Sequence, residues 1–390
     1  MVMRHKGTMR LLLALLLTLS FCQSVVRTQT TSTMDEIESL TAAEFGKEPL
    51  GSLNIAIVSG GQLAWTKSYG YANIEEKTPA TADTVYRIGS VTTQFTALML
   101  LQLVAEGKVH LADPVEKYFP EVNKIQSTFG YAPPITLVQL ATHTSGIANE
   151  PDDVALYTKG AVKEWEKILI AALPNTRYVY EPGTQVSYSN IGYAILGAAL
   201  SRAAQRPYVD YVQERIFRPL GMTHTTFEPD SRANLARGYE EKAGKADAEA
   251  SEKEHQGRGY KVPNGAVYTT ITDLARFVAF EMGQGPAGVL PPKSLEENFK
   301  RLIALTDERP TFLASGYGIG FRFRTYNEAI IYGHAGGVTG YEARADFERT
   351  SRSGVIVLRN VGGRKIHLST TKLASTVLEK LIKASKTTAK

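Results

Sequence analysis

Three short segments combine residue types and neighbours that suit acyl chemistry. In Gly89-Ser90-Val91-Thr92-Thr93 a serine opens a strongly apolar helix. A hydroxyl there lies beside unpaired backbone N–H groups and the positive end of the helix dipole. Both suit an oxygen nucleophile and the oxyanion its attack creates. Thr93 falls one turn further on, on the same side. In Tyr188-Ser189-Asn190 the phenol can act as a general base if a neighbouring cation pulls down its ordinary pKa of about 10. The Asn190 amide can donate one hydrogen bond and accept another. In Gly333-His334-Ala335-Gly336-Gly337, read as lying between two strands, glycines allow close backbone approach to a ligand. Each segment also has a structural explanation: a helix cap by Ser90, a cap by Asn190 with a packed Tyr188, and a hairpin turn carrying an exposed His334.

The elements around these segments decide whether they meet. Residues 33–47 read as a helix capped by Thr33, with Glu36 three residues on. Leu53 to Val58 and Leu63 to Tyr69 alternate as two strands about Gly60-Gly61. Val85 to Ile88 is an extended approach to Ser90, and Val91 to Glu106 is a helix closed by Gly107. That helix has almost no polar face after its first turn, so it belongs in the centre of the fold and Ser90 points into its heart. Helices are also expected over 136–141, 191–204, 208–217, 272–282 and 295–305, with an exposed excursion over 240–259. Strands follow at 317–324, 329–332, 341–347 and 354–358, and an amphipathic helix at 365–383. This order predicts an α/β (α+β) fold. The N- and C-terminal segments share one antiparallel sheet flanked by helices, and the middle forms a helical lobe. The sheet lobe takes about 35–90 and 310–385, the helical lobe about 91–305, within one unit spanning 23–390.

The 390 residues are 43% apolar and 21% charged, a globular composition able to bury a sizeable core. One cysteine, Cys22, excludes an intramolecular disulfide, a Cys₄ zinc module and an iron–sulfur cluster. Arg4, Lys6 and Arg10 precede the apolar run Leu11–Leu17, too short to span a bilayer, and 1–22 reads as a signal peptide. Export to the periplasm or the extracellular space follows. Phe21 stands where a lipoprotein signal has a small residue, which argues against acylation of Cys22. Without 1–22 the chain carries 41 basic and 39 acidic residues, interspersed, so neither a nucleic-acid partner nor a transmembrane segment in the mature chain is expected. Seven scattered histidines without H-E-x-x-H, and glycines at 336, 337 and 340 without a following Lys-Ser/Thr, argue against metal and nucleotide sites. No cofactor is expected.

Taken together and in this order, the three segments resemble the serine β-lactamase and penicillin-binding-protein superfamily. The likeness is to its class C β-lactamase-like hydrolases, the D-alanyl-D-alanine carboxypeptidase and esterase group. That family has an S-x-x-K helix start, a Y-x-N loop and a K-T-G or H-x-G strand. Tyr86 to Thr92, Leu140 to Gly146, Glu181-Pro182-Gly183 and Pro263 to Tyr268 add to the resemblance, which covers about 35–380. It implies a β-lactamase/transpeptidase-like fold and an acyl substrate, small molecule or peptide. It further implies Ser90 as nucleophile, Tyr188 as proton-transfer group, and Asn190, His334, Gly336 and Gly337 as substrate-binding and oxyanion residues. One departure stands out: Thr93 occupies the lysine position. A literal S-x-x-K, Ser369 to Lys372, falls in the terminal helix and reads as chance. Loss of a positioned acid/base group costs about 10²–10⁴ in rate. Two readings follow: an exported serine hydrolase impaired at Thr93, or a non-catalytic relative binding a peptidoglycan-like or other acyl ligand as sensor or scaffold.

Overall fold

The computed structural model describes residues 33–131, 133–230, 234–254, 257–304, 315–363 and 369–388. The 1–22 segment, with Cys22, lies outside them. Its strands are β1 (Ser52–Ser59), β2 (Gln62–Asn73), β3 (Thr78–Pro79), β4 (Val85–Arg87), β5 (Tyr239–Lys242), β6 (Lys245–Asp247), β7 (Tyr268–Thr270), β8 (Ile303–Ala304), β9 (Gly316–Tyr317), β10 (Arg322–Tyr326), β11 (Ala329–Val338), β12 (Tyr341–Glu348), β13 (Ser353–Arg359) and β14 (Val361–Gly362). The helices are α1 (33–47), α2 (Thr93–Ala105), α3 (Leu137–Ala141), α4 (Trp165–Ala172), α5 (Asn190–Ala203), α6 (Tyr208–Val212), α7 (Glu249–Glu254), α8 (Val262–Gly265), α9 (Ile271–Glu281), α10 (Pro292–Phe299) and α11 (Thr370–Thr388).

A nine-stranded sheet has the order β3-β2-β1-β13-β12-β11-β10-β9-β8. The N-terminal hairpin and the C-terminal strands join where β1 pairs antiparallel with β13, Ile55 opposite Val357. Because strand side chains alternate, β1 serves two cores at once. Leu53, Ile55 and Ile57 pack with Val355, Val357 and the apolar stripe of α11, including Val377 and Leu378. Ala56 and Val58 face the other way, into the larger core shared with α9 and the helical lobe. Helix α2 lies in that larger core. Phe95, Leu98, Met99, Leu100 and Leu103 are all buried, and Phe95 meets Phe217 and Phe277 edge-on or tilted at 5.0 and 4.5 Å.

Several expectations need correction. The 240–259 stretch is not a bare excursion: β5 and β6 form a hairpin, β5 pairs in parallel with β14, and α7 follows. The 295–305 helix stops at Phe299 and gives way to β8. The 208–217 helix is α-helical only to Val212 and then opens into a π-turn over Gln213–Phe217. The 317–324 strand is two strands, broken by a turn in which Gly318 N–H donates to Phe321 O.

Candidate functional site

The serine segment is a 3₁₀ turn, Gly89–Thr92, leading into α2. No side chain caps it; Ile88 is the capping residue. The Ser90 hydroxyl is therefore not consumed as a cap. Gly89 has φ +50°, a left-handed conformation that glycine adopts freely, and a Cβ there would lie 2.8 Å from Gly337 N. Gly336 answers it: a Cβ at that position would sit 1.8 Å from Ile88 O and 3.1 Å from Ser90 N. Two backbones thus touch with nothing between them. The 333–337 segment is not a turn between strands, as its glycines suggested, but the body of β11, with His334 opposite Ala345 and Gly336 opposite Ala343. Pairing with β12 through the whole segment is what holds it straight. A Cβ at Gly337 would meet nothing within 4 Å, so the strand is open on that side.

The tyrosine is delivered by the start of α5. Ser189, not Asn190, is the N-cap: its hydroxyl accepts from Gly192 N–H at 2.9 Å and donates to Ala148 O at 2.8 Å. The Ser189 N–H donates to Nδ1 of His143 at 3.1 Å. The His143 ring packs at a tilt against Tyr188 with centroids 4.2 Å apart, and the Tyr188 ring lies 6.2 Å from those of both His334 and Tyr317. The Tyr188 hydroxyl is buried. Ser90 is near enough to lower its pKa, yet the two do not meet the geometry of a formed hydrogen bond. Burial dominates and pushes the phenol up to about 12; Ser90 and Arg322 oppose this, while Tyr317 and Glu150 reinforce it. Tyr188 is accordingly protonated at neutral pH.

Thr93 is buried, and its hydroxyl donates to Ser90 O at 2.7 Å. It carries no charge and its proton is already engaged. Asn190 Nδ2 donates to Glu150 Oε1 at 2.8 Å, Glu150 Oε1 also pairs with Lys261 Nζ at 2.7 Å, and Asn264 Nδ2 holds the Asn190 carbonyl at 2.5 Å. The Asn190 amide nitrogen is thereby tied to a carboxylate. His334 is buried, and its Nδ1 donates to Ala335 O at 2.6 Å. Burial and the Arg322 charge hold its pKa well below 6.5, so it is neutral, with Nε2 unprotonated. His143 is held down to about 3 by the same two causes.

Ser90, Thr93, Tyr188, His334, Gly336 and Gly337 therefore share one neighbourhood, with Asn190 at its edge. Three residues in it were not singled out from sequence. His143 sits in the Leu140–Gly146 segment but looked purely structural. Lys261 directly precedes the Val262-Pro263-Asn264 stretch, a weak signal. Arg322 reaches the site only through the β9–β10 turn, and no spacing announced it. Ser369 caps α11, accepting from Lys372 N–H at 3.2 Å, consistent with a chance S-x-x-K.

Comparison with known proteins gives one family. The family model described as Beta-lactamase matches residues 40–374. Among curated proteins, "Protein flp" of Staphylococcus aureus (strain N315) is 26% identical over 354 residues, covering 87% of this chain and 67% of that protein. Among solved structures, D-amino acid amidase from Ochrobactrum anthropi SV3, complexed with L-phenylalanine amide, superposes with TM-score 0.74 at 22% identity, over 92% of this chain and 100% of the other. A class C β-lactamase gives 0.72 at 20% identity, over 90% and 96%. The fold is the mixed α/β, antiparallel-sheet architecture that these proteins share.

Proposed function

This chain belongs to the Beta-lactamase family, and from that premise we propose that it is a serine hydrolase in which Ser90 attacks an ester, amide or β-lactam carbonyl. The likenesses to an amidase and a β-lactamase support that substrate class. The observation that carries the reading is the bare backbone contact of Gly336 and Gly337 with Gly89 and Ser90. It supports the N–H groups of Ser90 and Gly337, brought side by side, as donors to a developing oxyanion.

In the reaction, the Ser90 O–H proton passes to the Tyr188 oxygen as Oγ bonds to the carbonyl carbon and the π pair moves onto oxygen. Collapse expels the leaving group, which takes the proton back from the Tyr188 hydroxyl, and leaves an acyl-enzyme. Water then attacks the acyl carbon and restores Ser90. We assign Asn190 and His334 to substrate binding. With Tyr188 pushed up to about 12, the phenolate that must accept the proton is scarce near neutrality. The enzyme is therefore slow at neutral pH, and its rate rises with pH.

Thr93 favours a second reading, in which the pocket binds a peptidoglycan-like peptide or other acyl ligand without turnover. One experiment separates them: intact mass and peptide mapping after exposure to a fluorophosphonate or a reactive penicillin, with Ser90→Ala as control. An adduct on Ser90, absent from the variant, supports the hydrolase. Complete inertness at pH 7 and pH 9.5, with the fold intact, leaves the binding reading.

A further inference from the structure

The guanidinium of Arg322 lies with Cζ 5.6 Å from the ring centroid of Tyr188 and 5.4 Å from that of Tyr317. Its position follows from register: Arg322 pairs with Gly333 on β11 and Tyr317 on β9, the strands that flank the site. Its Nε is buried and makes no hydrogen bond among the described residues. A guanidinium has a planar, weakly hydrated face suited to stacking on phenols and keeps its charge at any working pH. We propose that Arg322 takes over the electrostatic part of the absent ammonium: set against both Tyr188 and Tyr317 on one side of the pair, it supplies the positive potential that lets the Tyr188 oxygen accept the Ser90 proton.

The other groups facing Tyr188 do not fill that part. His143 and His334 are neutral. Tyr193 and Tyr317 are phenols pushed upward by burial. Glu150 opposes the phenolate, with its charge partly answered by Lys261. Ser90 is the proton's source. Arg322 acts on Tyr188, His143 and His334 alike, and in each case its charge disfavours the protonated form. Arg322 is thus a positioning residue of electrostatic kind, and its role rests on the hydrolase reading above.

The test is a cycle. Reaction of Ser90, phosphonylation by a fluorophosphonate or acylation by a chromogenic ester, is measured against pH for Arg322→Gln and Arg322→Lys, each with Thr93 retained and with Thr93→Lys. With Thr93 retained, Arg322→Gln slows acylation roughly 10- to 100-fold at fixed pH and moves the rising limb upward. Arg322→Lys keeps part of the rate. With lysine at 93, the Arg322→Gln loss shrinks below about threefold, because another cation is present. Equal losses in both backgrounds would overturn the proposal and leave Arg322 a packing or substrate-binding residue. A second readout needs no turnover: 3-fluorotyrosine at 188, titrated by ¹⁹F NMR, moves upward in Arg322→Gln and not in Arg322→Lys. An unmoved titration refutes the charge effect. A shift in a protein whose Ser90 never acylates sustains the electrostatics and sinks the hydrolase reading instead.

Discussion

Replacing Thr93 by lysine tests how much of the chemistry one missing charge controls. An ammonium about 4 Å from the Tyr188 oxygen interacts with a phenolate by about 4 kcal/mol at an effective dielectric of 20. Desolvating the lysine in this buried position takes back a part, leaving roughly 1.4–3 kcal/mol, or one to two pKa units. From a starting value of about 12, that makes the phenolate 10- to 100-fold more abundant at fixed pH. The lysine also relays protons, an effect of about 10²–10⁴ in other enzymes. The expected outcome is therefore at least a tenfold rise in kcat/KM on a chromogenic ester or cephalosporin, with the rising limb of the pH profile displaced downward by one to two units. The sign is fixed by the acceptor: the base is the deprotonated phenol, so lowering its pKa helps at any pH below it. The substitution gives up the hydrogen bond from Thr93 to Ser90 O, about 1 kcal/mol, and crowds a buried site at about 1–3 kcal/mol. A melting curve must accompany the kinetics. A folded Thr93→Lys protein with neither a faster rate nor a displaced limb would refute the argument.

The glycines of the strand give a contrasting pair. Gly336→Ala drives a methyl into Ile88 O and should abolish Ser90 labelling and lower stability by about 2 kcal/mol or more, whereas Gly337→Ala meets open space and should leave the melting temperature unchanged. Glu281, buried on α9, has its carboxyl pushed up to about 8 by burial, with Arg349 opposing. The folded state then holds a proton that the unfolded chain releases above its ordinary value near 4.5, so stability falls as pH rises through that window to 8. Glu281→Gln should flatten this fall, and melts at pH 6 and pH 9 will show it; a parallel decline in both proteins contradicts the assignment.

Much of the frame was legible because it is local. Alternation announced the β1–β2 hairpin, and the all-round apolarity of α2 announced a central helix with Ser90 at its entrance. What failed was decided at a distance. The glycines of 333–337 read as a turn because local preference favours one, but pairing with β12 overrides that preference. Residues 240–247 are charged and looked like solvated loop, yet the partner strand β14 arrives from the far end of the chain. The cap of α5 was misassigned by one residue, since Ser189 and Asn190 are both good caps and only the backbone decides. Arg322 and Lys261 were invisible for a similar reason: their meaning lies in which ring or carboxylate they meet, and that is a property of strand register and loop path.

The main-chain seam between the Ser90 turn and β11 has a consequence for how this molecule tolerates change. Its two halves meet backbone to backbone because Gly89 and Gly336 carry no side chains. The close approach itself is backbone against backbone, so it survives those changes at 93, 188 or 334 that the surrounding packing accommodates. The backbone cradle and the side chains set around it are therefore separate features of this molecule, and a change in one need not remake the other.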